Sequence, residues 1–462
     1  MTSQSYRFFF PPPKRKCHFF ISESNFSPKS RIIPLLCYMF SFLQKPSFQP
    51  FFFKNLSLGQ KIIAWGLCGF IFFIPIQKTI STAFEFLSLL GLLIFLFRKE
   101  GKLSLPAELK SSLAWIFLPL LFLLYLLGMT YTQDISQGLK ELNINHYYFL
   151  LPFLFAFLPY QDLSIRKTLI FFFLIANLLA AILTIYISIT GNLLFQAEPY
   201  LPSPFISRPR ASLFYAFSIF LGLEIFYNNI HNRKRLLLLS IALIILSIAL
   251  VKLEGRSGQI AFITVLPFWM SVRLVKKHRK IWAMAFLVLM CSVSWFSYQY
   301  IGNIKRRFDA AIEEVKTFSS GDFSHTNETS VARRFVFLQN SFEVWEAHPW
   351  FGVGSGDLQQ EVFPKFKDNP YGVDSGKPHN QFLELSVKFG IIGLLIFLIT
   401  WILVFIRIRS PLATLFRCFS LLCFISMWSE STLDTQAGNT FFTVFFLLLG
   451  LPVMRNFQQS VE

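Results

Sequence analysis

Arginines, two histidines and a glycine-rich turn are gathered between Ser330 and Leu395, residue types that suit chemistry on a phosphate-bearing substrate. Arg333 and Arg334 stand near the start of SVARRFVFLQNSFEVWEA, and a planar guanidinium offers paired donors to phosphate oxygens, although a solvated arginine pair has the same appearance. His379 comes just before Asn380 and a long apolar run from Phe382, which places it at a helix N-terminus. There the helix dipole disfavours the imidazolium and leaves a neutral ring able to accept a proton; the bland alternative is a solvated loop histidine. Asn380 reads as a helix cap as well as a polar contact. Between these groups runs His348 to Gly356, HPWFGVGSG, whose G-x-G-x-G is weak evidence for a nucleotide. Gly352 and Gly354 read instead as turn formers that end a helix.

Further charges fall at or near the ends of apolar runs: Arg208, Arg210, Lys252, Glu254, Arg256, Glu430 and Asp434. An ionisable group at membrane depth costs about 2.5 to 3.5 kcal/mol on insertion scales, so each needs a partner or a task. Together they are expected to line one outward-facing cavity.

The elements that must position these residues are membrane helices. Hydrophobic residues make up 54% of the chain, 59 of them Phe, and apolar runs near the ~20 residues that cross a bilayer recur along almost its whole length. Twelve spans are predicted: 62–76, 80–97, 113–129, 146–160, 167–190, 210–227, 236–251, 257–274, 281–300, 386–406, 411–428 and 436–452. With the N-terminus inside, every second connection carries lysines and arginines, among them Arg98, Lys99, Arg166, Lys167, Arg233, Lys276, Arg407 and Arg455. This is the positive-inside pattern, and it puts the long loop 301–385 on the outer face. The formal charge of +18 belongs to those loops and argues against a nucleic-acid partner. Residues 1–57 read as a basic, poorly ordered cytoplasmic arm; spans fill 58–300 and 386–455, and 456–462 is a cytoplasmic tail. The six Cys lie in the arm or in apolar runs, so neither a disulfide framework nor a metal site is expected. Within the outer loop, Val331, Phe335, Leu338, Phe342 and Trp345 make one helical stripe, expected to cover the hydrophobic mouth of the bundle.

Arg334, then HPWFGVGSG, then PHNQFLELSVKFGIIGL, then WSEST together resemble the C-terminal signature of the O-antigen ligase and O-antigen polymerase superfamily. The agreement runs through Arg334, Pro349, Gly352, Gly354, His379, Asn380, Leu383, Gly390 and Gly393. Arg256, in Glu254-Gly255-Arg256-Ser257-Gly258, and Arg208 or Arg210 resemble other basic positions of the family, and Glu430 resembles its acid in the last outer turn, read as structural. The resemblance implies an all-α polytopic protein of GT-C-like architecture in a bacterial inner membrane, with both termini cytoplasmic. The implied activity moves a glycan from polyprenyl (undecaprenyl) diphosphate to an acceptor hydroxyl, such as a lipid A core, on the outer face, with inversion. His379, Arg334 and Arg256 are then the catalytic candidates, with Arg210, Arg208, Arg333 and Asn380 on the donor. No cofactor is expected: the outer loop has no D-x-D, and arginines neutralise the diphosphate without a metal. A polymerase of lipid-linked repeats and a protein O-oligosaccharyltransferase share this donor chemistry. A lipid-linked glycan transporter is the alternative of another class, and oligomeric state is left open.

Overall fold

The computed structural model describes residues 56–99, 112–158, 162–190, 205–228, 233–253, 255–276, 330–367 and 377–451, with a few single positions between 281 and 316. The basic arm up to residue 55, most of the expected span 281–300, Glu254, much of the loop 301–385 and the tail 456–462 lie outside the described residues.

Everything regular among the described residues is helical. In chain order the helices are α1 (Leu58–Phe73), α2 (Lys78–Phe97), α3 (Leu113–Gly128), α4 (Ile135–Asn145), α5 (Tyr147–Ala156), α6 (Leu163–Thr190), α7 (Arg208–Asn228), α8 (Arg233–Lys252) and α9 (Arg256–Lys276). They continue with α10 (Ser330–Ala347), α11 (Leu358–Lys367), α12 (Gln381–Arg407), α13 (Ala413–Met427) and α14 (Gln436–Gly450), with a 3-10 turn, Thr432–Asp434, between the last two. Six of them, α2, α6, α7, α8, α9 and α12, are long and apolar enough to cross a membrane; α1, α3, α13 and α14 are apolar but shorter. Large side chains such as Phe86, Phe97, Leu237 and Val251 stay exposed on α2 and α8, apolar outer faces of the kind lipid covers.

The phenylalanines build the interior. Helix α14 is buried on nearly all sides, as expected of a helix apolar all round. Its Phe441 and Phe445 pack on Phe214 and Phe217 of α7, with ring centroids 4.4 Å apart for Phe214–Phe441 and 4.7 Å for Phe217–Phe445. Arg166, expected as a cation of a cytoplasmic connection, is instead buried in α6. Its Nη1 donates to the Leu448 and Leu451 carbonyls at 3.0 and 2.9 Å, closing the C-terminal end of α14.

Two expectations change. The stretch read as span 146–160 forms a helix of only ten residues, α5, which rises about 15 Å, half the hydrocarbon thickness. It follows α4 across the single residue His146, whose dihedrals are helical, so a polar helix runs on into an apolar one. In α10 the apolar stripe is not the centre of the face that packs, although its Trp345 packs at the edge of that face. Phe342 on that stripe is exposed, while Val336, Phe337 and Val344, with Asn340 and Ser341, are buried. The helix is thus turned by about one residue, 100°. The cause is its partner: Val336, Phe337 and Val344 pack on Val353, Leu358, Val362 and Val387 of the protein itself. That rotation carries Arg334, one turn before Phe337, to the inner side.

Candidate functional site

The site is built where residues 377–381 cross the connection between α13 and α14. Four side-chain contacts tie the two segments. Lys377 Nζ pairs with an Asp434 carboxylate oxygen, and His379 Nδ1 lies 3.5 Å from Glu430 Oε2. Asn380 Nδ2 donates to the Trp428 carbonyl at 3.2 Å, and the Leu433 amide donates to Gln381 Oε1 at 2.6 Å. Asn380 also caps α12, its Oδ1 accepting from the Phe382 and Leu383 amides at 3.0 Å, so its amide group is engaged at both ends. His379 itself holds a left-handed backbone, φ 49°, which costs a residue with a β-carbon about 1 kcal/mol. Contacts on both sides hold it there.

Glu430 joins the expected catalytic residues. Its Oε1 accepts from Arg334 Nη2 at 2.7 Å while Oε2 faces His379, so one carboxylate holds the guanidinium and the imidazole together. The Phe337 ring lies against that imidazole, centroids 5.7 Å apart. Glu430 is mostly covered, whereas the side chains of His379 and Arg334 remain 38% and 37% exposed, open to a substrate. A carboxylate on Nδ1 favours the tautomer that leaves Nε2 free to accept a proton.

The other arginines are placed less directly. Arg210 lies in the first turn of α7, donates from Nη1 to Ser207 Oγ at 2.9 Å, and feels the charges of Glu430, Asp434 and Glu384. Arg208 opens the same helix. Arg256 opens α9 and is exposed. The α9 start is held against α7 by the Gly258 amide donating to Ser212 Oγ at 3.2 Å, which puts Arg256 beside the α7 arginines. The structure thus joins Arg334, Glu430 and His379 directly and sets Arg210 within their field, with Arg256 on the neighbouring helix start. The side chain of Arg333 lies outside the described residues.

The glycine turn has a mechanical task. Helix α12 breaks at Gly390, φ 66° and ψ −171°, freeing backbone groups on both sides. The turn after α10 takes them up: the Val353 and Gly354 amides donate to the Val387 and Lys388 carbonyls at 2.9 and 3.0 Å, and the Ile391 amide donates to the Pro349 carbonyl at 2.8 Å. Gly352 and Gly354, at φ 69° and 105°, let this chain lie flat on the break. From the other side Ser355 Oγ donates to the Tyr125 carbonyl at 2.7 Å, and Asp357 accepts the Gln133 and Asp134 amides at 2.8 and 2.7 Å. Both motifs of the sequence signature are therefore one joint.

Sequence reasoning missed a buried ionic group beneath the site. Lys388, 2% exposed, donates to Glu384 Oε1 at 2.7 Å and Glu141 Oε2 at 2.9 Å, lies 3.9 Å from Asp434 Oδ1, and faces the Tyr125 ring. The signal was present: Lys388 stands inside the expected span 386–406, four residues after Glu384, and an ionisable pair in an apolar run asks for an explanation. Glu141 carries no such local signal.

Residues 241–398 match the model of the O-antigen ligase family. Over 388 residues, 81% of this chain, the sequence is 25% identical to an uncharacterized protein of Haemophilus influenzae, 93% of which is covered. The family match contains Arg256, Arg333, Arg334, the glycine turn, His379 and the break of α12 at Gly390, while Arg208, Arg210, Glu430 and Asp434 lie outside it. Through residues 241–398 the chain is similar to the O-antigen ligase family.

Proposed function

We propose that this protein is an O-antigen ligase-like membrane glycosyltransferase, moving a glycan from polyprenyl diphosphate to an acceptor hydroxyl, a lipid A core or similar, at the outer face of the inner membrane. The observation that carries this reading is the shared Glu430 carboxylate, which presents a guanidinium and an imidazole to the same open space. Arg334 turns from Glu430 to the diphosphate, with Arg256 and Arg210 adding positive charge and Arg208 and Arg333 contacting the donor. Fixed cations there stabilise the charge that grows on the leaving phosphate oxygen as the glycosidic C–O bond breaks. His379 takes the acceptor proton as the acceptor oxygen bonds to the anomeric carbon, and afterwards returns it to solvent. One displacement opposite the leaving group inverts that carbon, and no metal is required.

A transporter of the same lipids would also carry a broken membrane helix, since transporters line ion paths with one in each half. Here the groups freed at Gly390 are taken up by the glycine turn, which seals the break and favours surface chemistry. In a deletion strain, long glycan chains should accumulate on the carrier while the finished surface polysaccharide disappears. Surface molecules capped by a single repeat would indicate a polymerase instead, and an unchanged polysaccharide profile would contradict both.

A further inference from the structure

Asp434, four residues beyond Glu430, belongs to neither the motif nor the chemistry assigned above, yet it is the point at which the catalytic strap meets the buried ionic group. Its carboxylate pairs with Lys377, two residues before His379, and faces Lys388 at 3.9 Å. We propose that Asp434 is a positioning residue for His379: as a carboxylate it grips Lys377, and that grip holds the imidazole beside Glu430. The inference rests on the transferase reading of the site.

Three observations carry it. His379 sits in a left-handed conformation that a side-chain-bearing residue keeps only under constraint. Of the four contacts joining residues 377–381 to the α13–α14 connection, those of Asn380 and Gln381 act after His379, and Lys377–Asp434 is the one that acts before it. Asp434 is itself 7% exposed, on a short 3-10 turn that leaves it little freedom, while Lys377 is half-exposed and depends on its partner for a fixed position.

The charges around Asp434 make this grip sensitive to pH. Lys377 precedes His379; Lys388 and Glu384 face Asp434 from α12, Glu141 from α4, Tyr125 from α3 and Arg210 from α7. Burial, then the neighbouring Glu384, pushes the Asp434 carboxyl up to about 7 against the pull of Lys388 and Lys377. Most Asp434 is therefore protonated at pH 6 and ionised at pH 8, so transfer should rise through pH 7. Stability moves the other way. The folded value lies above the usual carboxylate value, so this group favours the fold at low pH and that contribution is lost as pH rises through 7.

The test compares purified wild type, D434N, D434E, K377A and K377A/D434N for transfer from a polyprenyl-diphosphate donor between pH 5.5 and 8.5. D434N is expected to lose about tenfold to a hundredfold of the rate at pH 8, to lose the rise across pH 7, and to melt at pH 8 no lower than wild type. D434E should recover part of the rate. K377A should fall comparably, and the double variant no further than either single one. Wild-type rate and pH profile in D434N, or independent multiplied losses in the double variant, would overturn the inference. Should D434N fail to accumulate, K377A decides alone: a normal rate and profile there defeat it. H379A is the control; if it remains active the site reading fails, whereas inactive H379A beside normal D434N removes the Asp434 role only.

Discussion

His379→Ala should lower glycan transfer by about a thousandfold, the range that loss of a general base produces, with the protein still present in the membrane. His379 is half-exposed and its ring contacts are few, namely Glu430 and Phe337, so its removal should leave the helices packed. Arg334→Ala should fall by about a hundredfold or more, and Arg334→Lys should recover little, because an ammonium cannot offer the paired donors of a guanidinium to a diphosphate. Donor binding separates the two: the histidine variant should bind lipid-linked glycan normally, and the arginine variants more weakly. Surface glycan attached at normal levels by either alanine variant would remove the catalytic assignment and favour a transport or scaffold role.

The second large effect is on folding. Gly390→Ala places a β-carbon at φ 66° and ψ −171°, a region open essentially to glycine, and directly against the Trp350 carbonyl. Neither side can yield: one is the break of a membrane helix, and the other is the turn whose amides satisfy that break. The cost should be about 3 kcal/mol or more, enough to strip most of the protein from the membrane fraction. Gly222→Ala is the comparison. Its added β-carbon meets the flexible end of Leu243, 2.8 Å away, in an ordinary helix, and the variant should accumulate nearly as wild type does. Equal yield and melting temperature for both variants would show that the break is not a structural requirement.

Local chemistry was legible in the sequence, and long-range pairing was not. The helix over α10, the turn at Gly352 and Gly354 and the cap at Asn380 follow from periodicity, glycine and a polar residue before an apolar run. Which side of α10 faces inward does not, because periodicity shows a stripe without naming its partner. Phe342 on the stripe is outward, and the face through Phe337, with Trp345 at its edge, meets protein. The break at Gly390 is hidden because glycine in an apolar run, here Gly390 and Gly393, reads as tolerated helix. Glu141 and Lys388 are 247 residues apart, so no local pattern joins them. Arg334, His379 and Glu430 were each legible through the family resemblance. That one carboxylate holds the other two is a fact of the fold alone, since Arg334 and Glu430 are 96 residues apart.

The claim on which the account rests is a single, metal-free displacement at the anomeric carbon, driven by arginines on the diphosphate and His379 on the acceptor. It is tested most directly by giving purified protein a polyprenyl-diphosphate-linked glycan of known anomeric configuration and a core-type acceptor in the presence of EDTA. The linkage formed is then read by NMR, and the released lipid is identified. The account predicts transfer with an inverted linkage and free polyprenyl diphosphate. A retained linkage, or transfer that EDTA abolishes and magnesium or manganese restores, would contradict it.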